Sequence, residues 1–189
     1  MKSLFKKSMV LIAVPLCWLS VNAQDKKSGN EDFNDYVITN KGDTLICKVT
    51  TPLFSGPTYQ TSATNEVKKI KLGEIKEYYV KQRNLIFRSI IIEGRKKPFF
   101  LPVIENGKIS LYQDVVASQY SFALCVSKST DTAFLLKQND VLLTSRKARQ
   151  DKFENMLKDK PTVYDKFVAD KKFTYEQLRD IVRLYNSSK

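Results

Sequence analysis

The sequence predicts an α+β protein: an antiparallel β body of about eight to ten strands, barrel-like or sandwich in form, followed by a C-terminal segment of about three helices. Three observations carry this expectation. Over residues 33–140, short β-branched and aromatic runs alternate with turn residues such as Asn40-Lys41-Gly42-Asp43 and Asn106-Gly107. Near Thr144 the spacing of apolar residues changes from two to about 3.6. The chain then closes on a capped apolar stripe, Leu178, Ile181, Val182 and Tyr185.

Residues 1–23 read as an export signal. Lys2, Lys6 and Lys7 precede a mostly apolar stretch over 9–19, and Val21-Asn22-Ala23 offers a small-residue site with cleavage after Ala23. A membrane anchor fits less well, because a spanning helix needs about 20 apolar residues and Pro15 interrupts this stretch. The bulky Leu16 before Cys17 also speaks against lipid modification of that thiol. Cleavage removes three lysines, taking the formal charge from +12 to +9 over the remaining 166 residues, in which no second apolar run is long enough to span. Residues 24–32, with no apolar side chain, read as a flexible polar lead-in to the β body at 33–140.

The β body opens with a hairpin. Tyr36-Val37-Ile38 and the run over 45–49 flank Asn40-Lys41-Gly42-Asp43, with Gly42 at the positive-φ position and Asp43 as a turn residue. Pro52, Gly56 and Pro57 make 51–65 an irregular connection with at most one edge strand around Tyr59. Ile70 and Leu72 then share one face while Lys69 and Lys71 take a solvated one, and Tyr78 with Val80 continues the alternation. The runs 85–92 and 99–104 are apolar on both faces apart from Arg88 and Ser89, so they are taken as the central strands.

Asn106-Gly107 is the strongest hairpin signal, on the reasoning that both turn positions take positive φ. Beyond it, Ile109, Leu111 and Val115 face one way and Ser110, Tyr112 and Asp114 the other. Tyr120, Phe122, Leu124 and Val126 alternate with the milder Gln119, Ser121, Ala123 and Cys125. After a last strand at 134–136 come helices over 146–158, from Pro161, and over 175–185, within a helical segment at 141–189 expected to pack on the β body. In the last helix Thr174 is the N-cap, Gln177 completes a capping box and Phe173 staples onto Leu178. In the first, Phe153, Met156 and Leu157 form the stripe, and Glu154 is placed to pair with Lys158.

The missing histidine removes every mechanism built on imidazole, including Ser-His and Cys-His nucleophile pairs and most zinc sites. All six glycines are isolated, which excludes a phosphate-cradling loop, and no Cys pair has metal-ligand spacing, so no metal and no cofactor are expected. Glu74 and Glu77 read as surface charges rather than a catalytic pair. Cys47 falls on a core face and Cys125 on a milder one, which favours separate thiols; the oxidising export route leaves a disulfide between them open.

The segments YVITNKGDTLICKV, IKEYYV, ENGKISLY and FENMLKDKPTVYDKFVADKKFTYEQLRDIVRLYN make the chain resemble the exported β-rich proteins of the Bacteroidota type, with a "GDT" hairpin near the mature start and a helical ending in "YN". The resemblance implies an envelope or secreted setting, in the periplasm, at the outer-membrane periphery or outside the cell. It carries over no reaction, ligand or catalytic residue.

Charge is the feature with a functional message. Residues 33–144 carry 15 bases against 10 acids and residues 145–189 carry 12 against 7, so the excess is spread. Its densest points are Arg95, Lys96 and Lys97 at a turn and Arg146, Lys147, Arg149 and Lys152 on a helix, placed to meet an anionic surface or another envelope component. No motif points to specific nucleic-acid recognition. The leading expectation is a non-catalytic envelope protein acting by binding or structural interaction. Behind it stand a carrier for a small apolar ligand, drawn from Phe87, Phe99, Phe100, Phe122 and Phe134, and a histidine-independent hydrolase.

Overall fold

The computed structural model describes residues 33–188 apart from 53–54, 116–121, 129–130, 139–143 and 171. The expected export leader with cleavage after Ala23, the expected polar lead-in and the start of the expected Tyr120 strand therefore lie outside the described residues. Ten strands and three helices follow one another: β1 Asp35–Thr39, β2 Thr44–Thr50, β3 Thr58–Thr61, β4 Val67–Lys69, β5 Ile75–Val80, β6 Leu85–Ile92, β7 Phe99–Glu105, β8 Ser110–Val115, β9 Phe122–Ser127, β10 Thr132–Gln138, then α1 Thr144–Leu157, α2 Pro161–Asp170 and α3 Tyr175–Ser187. The fold is α+β, a mostly antiparallel sheet body followed by helices.

The strand order is β10-β9-β8-β7-β6-β5-β1-β2-β3-β4, and β10 also returns to pair with β6. That return is parallel, Thr132 opposite Ile91 and Ala133 opposite Ile92. It closes β6 to β10 into a five-stranded ring. β6 serves both halves of the sheet: residues 85–88 pair with β5, and its far end pairs with β10. The remaining strands extend outward to β4, with β3 flanked on both sides rather than at an edge.

Three apolar clusters follow from this layout. Ile90, Ile92, Leu101, Val103, Tyr112, Cys125 and Ala133 fill the ring. Small rings of this kind hold packed side chains rather than a channel. On the outside of β8 to β10, Leu111, Leu124, Val126, Phe134 and Leu136 meet Phe153, Leu157, Val163, Phe167, Leu178, Ile181, Val182 and Tyr185 of the helices. Val37, Cys47, Val49, Ile70, Ile75, Tyr78 and Val80 form the extension's own core. The faces of β8 and β9 that look mild in sequence are thus interior too: Tyr112 and Cys125 are fully buried. Alternation reports only relative polarity, and both faces of these strands are covered.

Local chemistry explains several elements. Gly42 takes φ +95° in the first hairpin, as the sequence predicts. The Thr174 hydroxyl accepts from the backbone N–H of Gln177 at 3.2 Å, and Gln177 Oε1 accepts from the Phe173 N–H, with Phe173 packed in the same cluster as Leu178. Asp35, nearly buried, accepts from the N–H of Val49 at 2.7 Å and of Lys81 at 2.8 Å, tying β1 to β2 and to the end of β5. Other expectations are corrected. Glu154 accepts from Gln150 rather than Lys158. Leu72 is exposed in a turn, not paired with Ile70 on a buried face. Neither Asn106 nor Gly107 has a positive φ. Gly107 is instead required by its neighbour, since a Cβ there would lie 2.3 Å from Asn186 Cγ.

Cys47 and Cys125 are free, buried and in different clusters. Burial pushes both thiols up to about 12. Native protein is therefore expected to leave both unreacted with a thiol reagent at neutral pH, and denatured protein to titrate both. The same shift has a stability consequence. Unfolded thiols ionise near pH 9 while native ones stay protonated, so the folded state binds more protons there and stability falls as pH rises through 9 towards 12. Urea unfolding at stepped pH checks this: the Cys47→Ala, Cys125→Ala double variant should show a shallower fall.

Candidate functional site

The basic residues singled out in the sequence are dispersed and partly compensated. Arg95 pairs with Asp114 at 3.3 Å and lies 4.9 Å from the centre of the Phe99 ring. Lys96 and Lys97 are exposed beside it. On α1, Arg146 is exposed over the Phe173 ring, Lys147 is exposed and Arg149 is half-buried. Lys152 reaches Glu93 at 2.5 Å, which brings the basic helix against the turn after β6. The two groups thus adjoin, joined by an ion pair that cancels charge between them.

A better-organised cationic site lies at the end of the ring. Arg88 shares a β6 face with Ile86, Ile90 and Ile92, which pack in the ring's cluster. Directly opposite on β5 stands Glu77. Arg88 Nε and Nη2 donate to Glu77 Oε2 at 2.8 and 2.7 Å, and the Tyr36 hydroxyl donates to Oε1 at 3.0 Å. The two side chains are only 13% and 11% exposed. Glu77 is therefore a buried partner, not the surface charge the sequence implied. Nη1 of Arg88 turns to Asn106 Oδ1 and the Tyr112 hydroxyl at 3.3 Å and to Ser110 Oγ at 3.5 Å. Burial works against the Arg88 charge, but its bonds to Tyr112 and Glu77 hold its pKa above the ordinary value. Burial, then the Glu77 charge, pushes the Tyr36 phenol up to about 12.

Around this pair opens a cleft of about 370 Å³, lined by Ile38, Lys76, Glu77, Arg88, Asn106, Lys108, Ser110 and Lys128 among others. Lys76 owes its place to a bulge. Opposite β1 the register passes from Glu77 to Ile75, leaving Lys76 as the extra residue, and bulges re-aim side chains in this way. Lys128, just past β9, donates to Asp159 at 3.0 Å and lies 4.8 Å from the centre of the Tyr185 ring. Four cations thus line the cleft against one carboxylate, which is already engaged.

The sequence signal for this site was Arg88, the one charged residue in a largely apolar strand. Pattern alone marks it as an interruption; only the ring closure shows that it faces Tyr112 and Ser110. Of the five phenylalanines expected to line an apolar cavity, four part company: Phe87 and Phe100 pack on Tyr78 in the extension, Phe134 lies under the helices and Phe99 is on the surface. The side chain of the fifth, Phe122, lies outside the described residues. Among the described residues no group of three acidic, Cys or His side chains is placed to hold a metal ion, and no helix is long and apolar enough to cross a membrane. No family model, curated protein or solved structure matches the chain.

Proposed function

We propose that the protein is an exported, non-catalytic component of the cell envelope that works by binding an anionic partner. One observation carries this reading: the cleft at the ring end gathers Lys76, Arg88, Lys108 and Lys128 around a single, already paired carboxylate. Low-dielectric walls strengthen the attraction such a group exerts on an anion. Three groups that could serve a hydrolase are otherwise engaged. Both thiols are buried and protonated, and Glu77 is held by Arg88 and Tyr36. Packed side chains in the ring likewise weigh against an apolar carrier.

Binding to anionic probes tests the reading. At low ionic strength the protein should bind phosphatidylglycerol vesicles or acidic polysaccharide but not phosphatidylcholine vesicles or neutral polysaccharide. Raising salt should weaken binding, since screening shortens from roughly 10 Å at 0.1 M to roughly 3 Å at 1 M. Equal binding to charged and neutral probes overturns the proposal.

A further inference from the structure

The geometry points to the cleft as a seat for one sugar-sized anion, a carboxylate or phosphate borne on a polyhydroxylated ring. This inference rests on the anionic-partner reading above and names its ligand.

Charge supplies the first argument. Lys76 and Lys108 have no ion-pair or hydrogen-bond partner among the described residues, and they stand beside Arg88 and Lys128 in the same cleft. A bound anion provides the counter-charge that the cleft itself lacks. Shape supplies the second. About 370 Å³ lies within the range of small-molecule sites. Arg88 stands at the ring's end with its side chain 13% exposed, where a flat bilayer cannot meet it but a ligand entering the cleft can.

The neutral lining supplies the third. On the Glu77 side the guanidinium bonds are short, at 2.7 and 2.8 Å, whereas its Nη1 contacts to Asn106, Ser110 and Tyr112 are 3.3 to 3.5 Å, long for N–H···O. A ligand oxygen improves on those contacts while Glu77 keeps the arginine in place. The Asn106 amide and Ser110 hydroxyl beside it are groups suited to ligand hydroxyls. Charge alone would take any anion; charge with amide and hydroxyl neighbours selects a hydroxylated one.

NMR shift titration of the purified protein at low ionic strength decides the matter, with galacturonate, glucose 6-phosphate, glucose, inorganic phosphate and phosphatidylglycerol vesicles as probes. The two sugar anions should bind about tenfold or more tightly than glucose or inorganic phosphate. The Lys76→Ala, Lys108→Ala double variant, which removes no ion pair or hydrogen bond, should weaken them about tenfold or more. Arg88→Lys, which keeps the charge beside Glu77 but not the planar fork, should weaken them too. An oligogalacturonate that binds more tightly than the monomer points to a glycan source and equal affinity to a free small ligand; either result supports the site. Inorganic phosphate binding as well as glucose 6-phosphate overturns the inference, as does sugar-anion binding that the lysine variant leaves unchanged. Should vesicles alone bind, the sugar-anion site falls and the anionic-partner reading stands; should no probe bind, both fall.

Discussion

Replacing Glu77 with alanine is expected to lower the free energy of unfolding by about 3 kcal/mol, because it strands the Arg88 charge in a nearly buried place. Both Arg88 contacts at 2.7 to 2.8 Å go to Glu77 Oε2, and the remaining partners are neutral and more distant. Removing one member of such a pair leaves desolvation uncompensated, which costs far more than the pair contributes. The converse follows. Glu77→Leu with Arg88→Met replaces both charges with apolar groups of similar reach, and it should sit within about 1.5 kcal/mol of the parent protein. Urea denaturation of the three proteins separates the cases. A cost below about 1 kcal/mol for Glu77→Ala would mean that the pair behaves as an exposed one. The double variant also joins stability to function: folded, yet without Arg88, it should bind anions more weakly than the parent.

What the sequence made legible is what neighbours in the chain decide. Gly42, the Thr174 cap with Gln177, and the stripe Leu178, Ile181, Val182 and Tyr185 each depend on residues within a few positions, so composition and spacing suffice. The ring is different. Its closure rests on Thr132 meeting Ile91 in parallel, some forty residues away in the chain, and no local pattern encodes that pairing. Its consequences were hidden with it. Tyr112 and Cys125 look like the milder sides of one-faced strands until a ring encloses them. Arg88 looks like an interruption until β8 supplies Tyr112 and Ser110. The basic runs at 95–97 and 146–149 stood out because charge density is a local property, whereas the cleft draws single cations from four separate places in the chain.

Gly107→Ala is expected to cost about 2 kcal/mol, and almost nothing once Asn186 has been removed. The reason lies in how the last helix is fastened. Asn186 Oδ1 accepts from the Ile109 N–H at 2.9 Å and its Nδ2 donates to the Ile109 carbonyl at 2.8 Å, so one amide satisfies both backbone groups of a fully buried residue. The amide passes so close over Gly107 that an added Cβ would lie 2.3 to 2.6 Å from its three terminal atoms. A methyl group there displaces the amide, and both bonds go with it. Asn186→Ala loses the same two bonds directly and should also cost about 2 kcal/mol. Since both changes break one fastening, the double variant should cost about 2 kcal/mol rather than about 4, a coupling near 2 kcal/mol in a double-mutant cycle. Strictly additive costs would show that Gly107 is not needed for Asn186. Coupling instead assigns the asparagine of the terminal "YN" to holding α3 against the start of β8, at the rim where Asn106, Lys108 and Ser110 line the cleft.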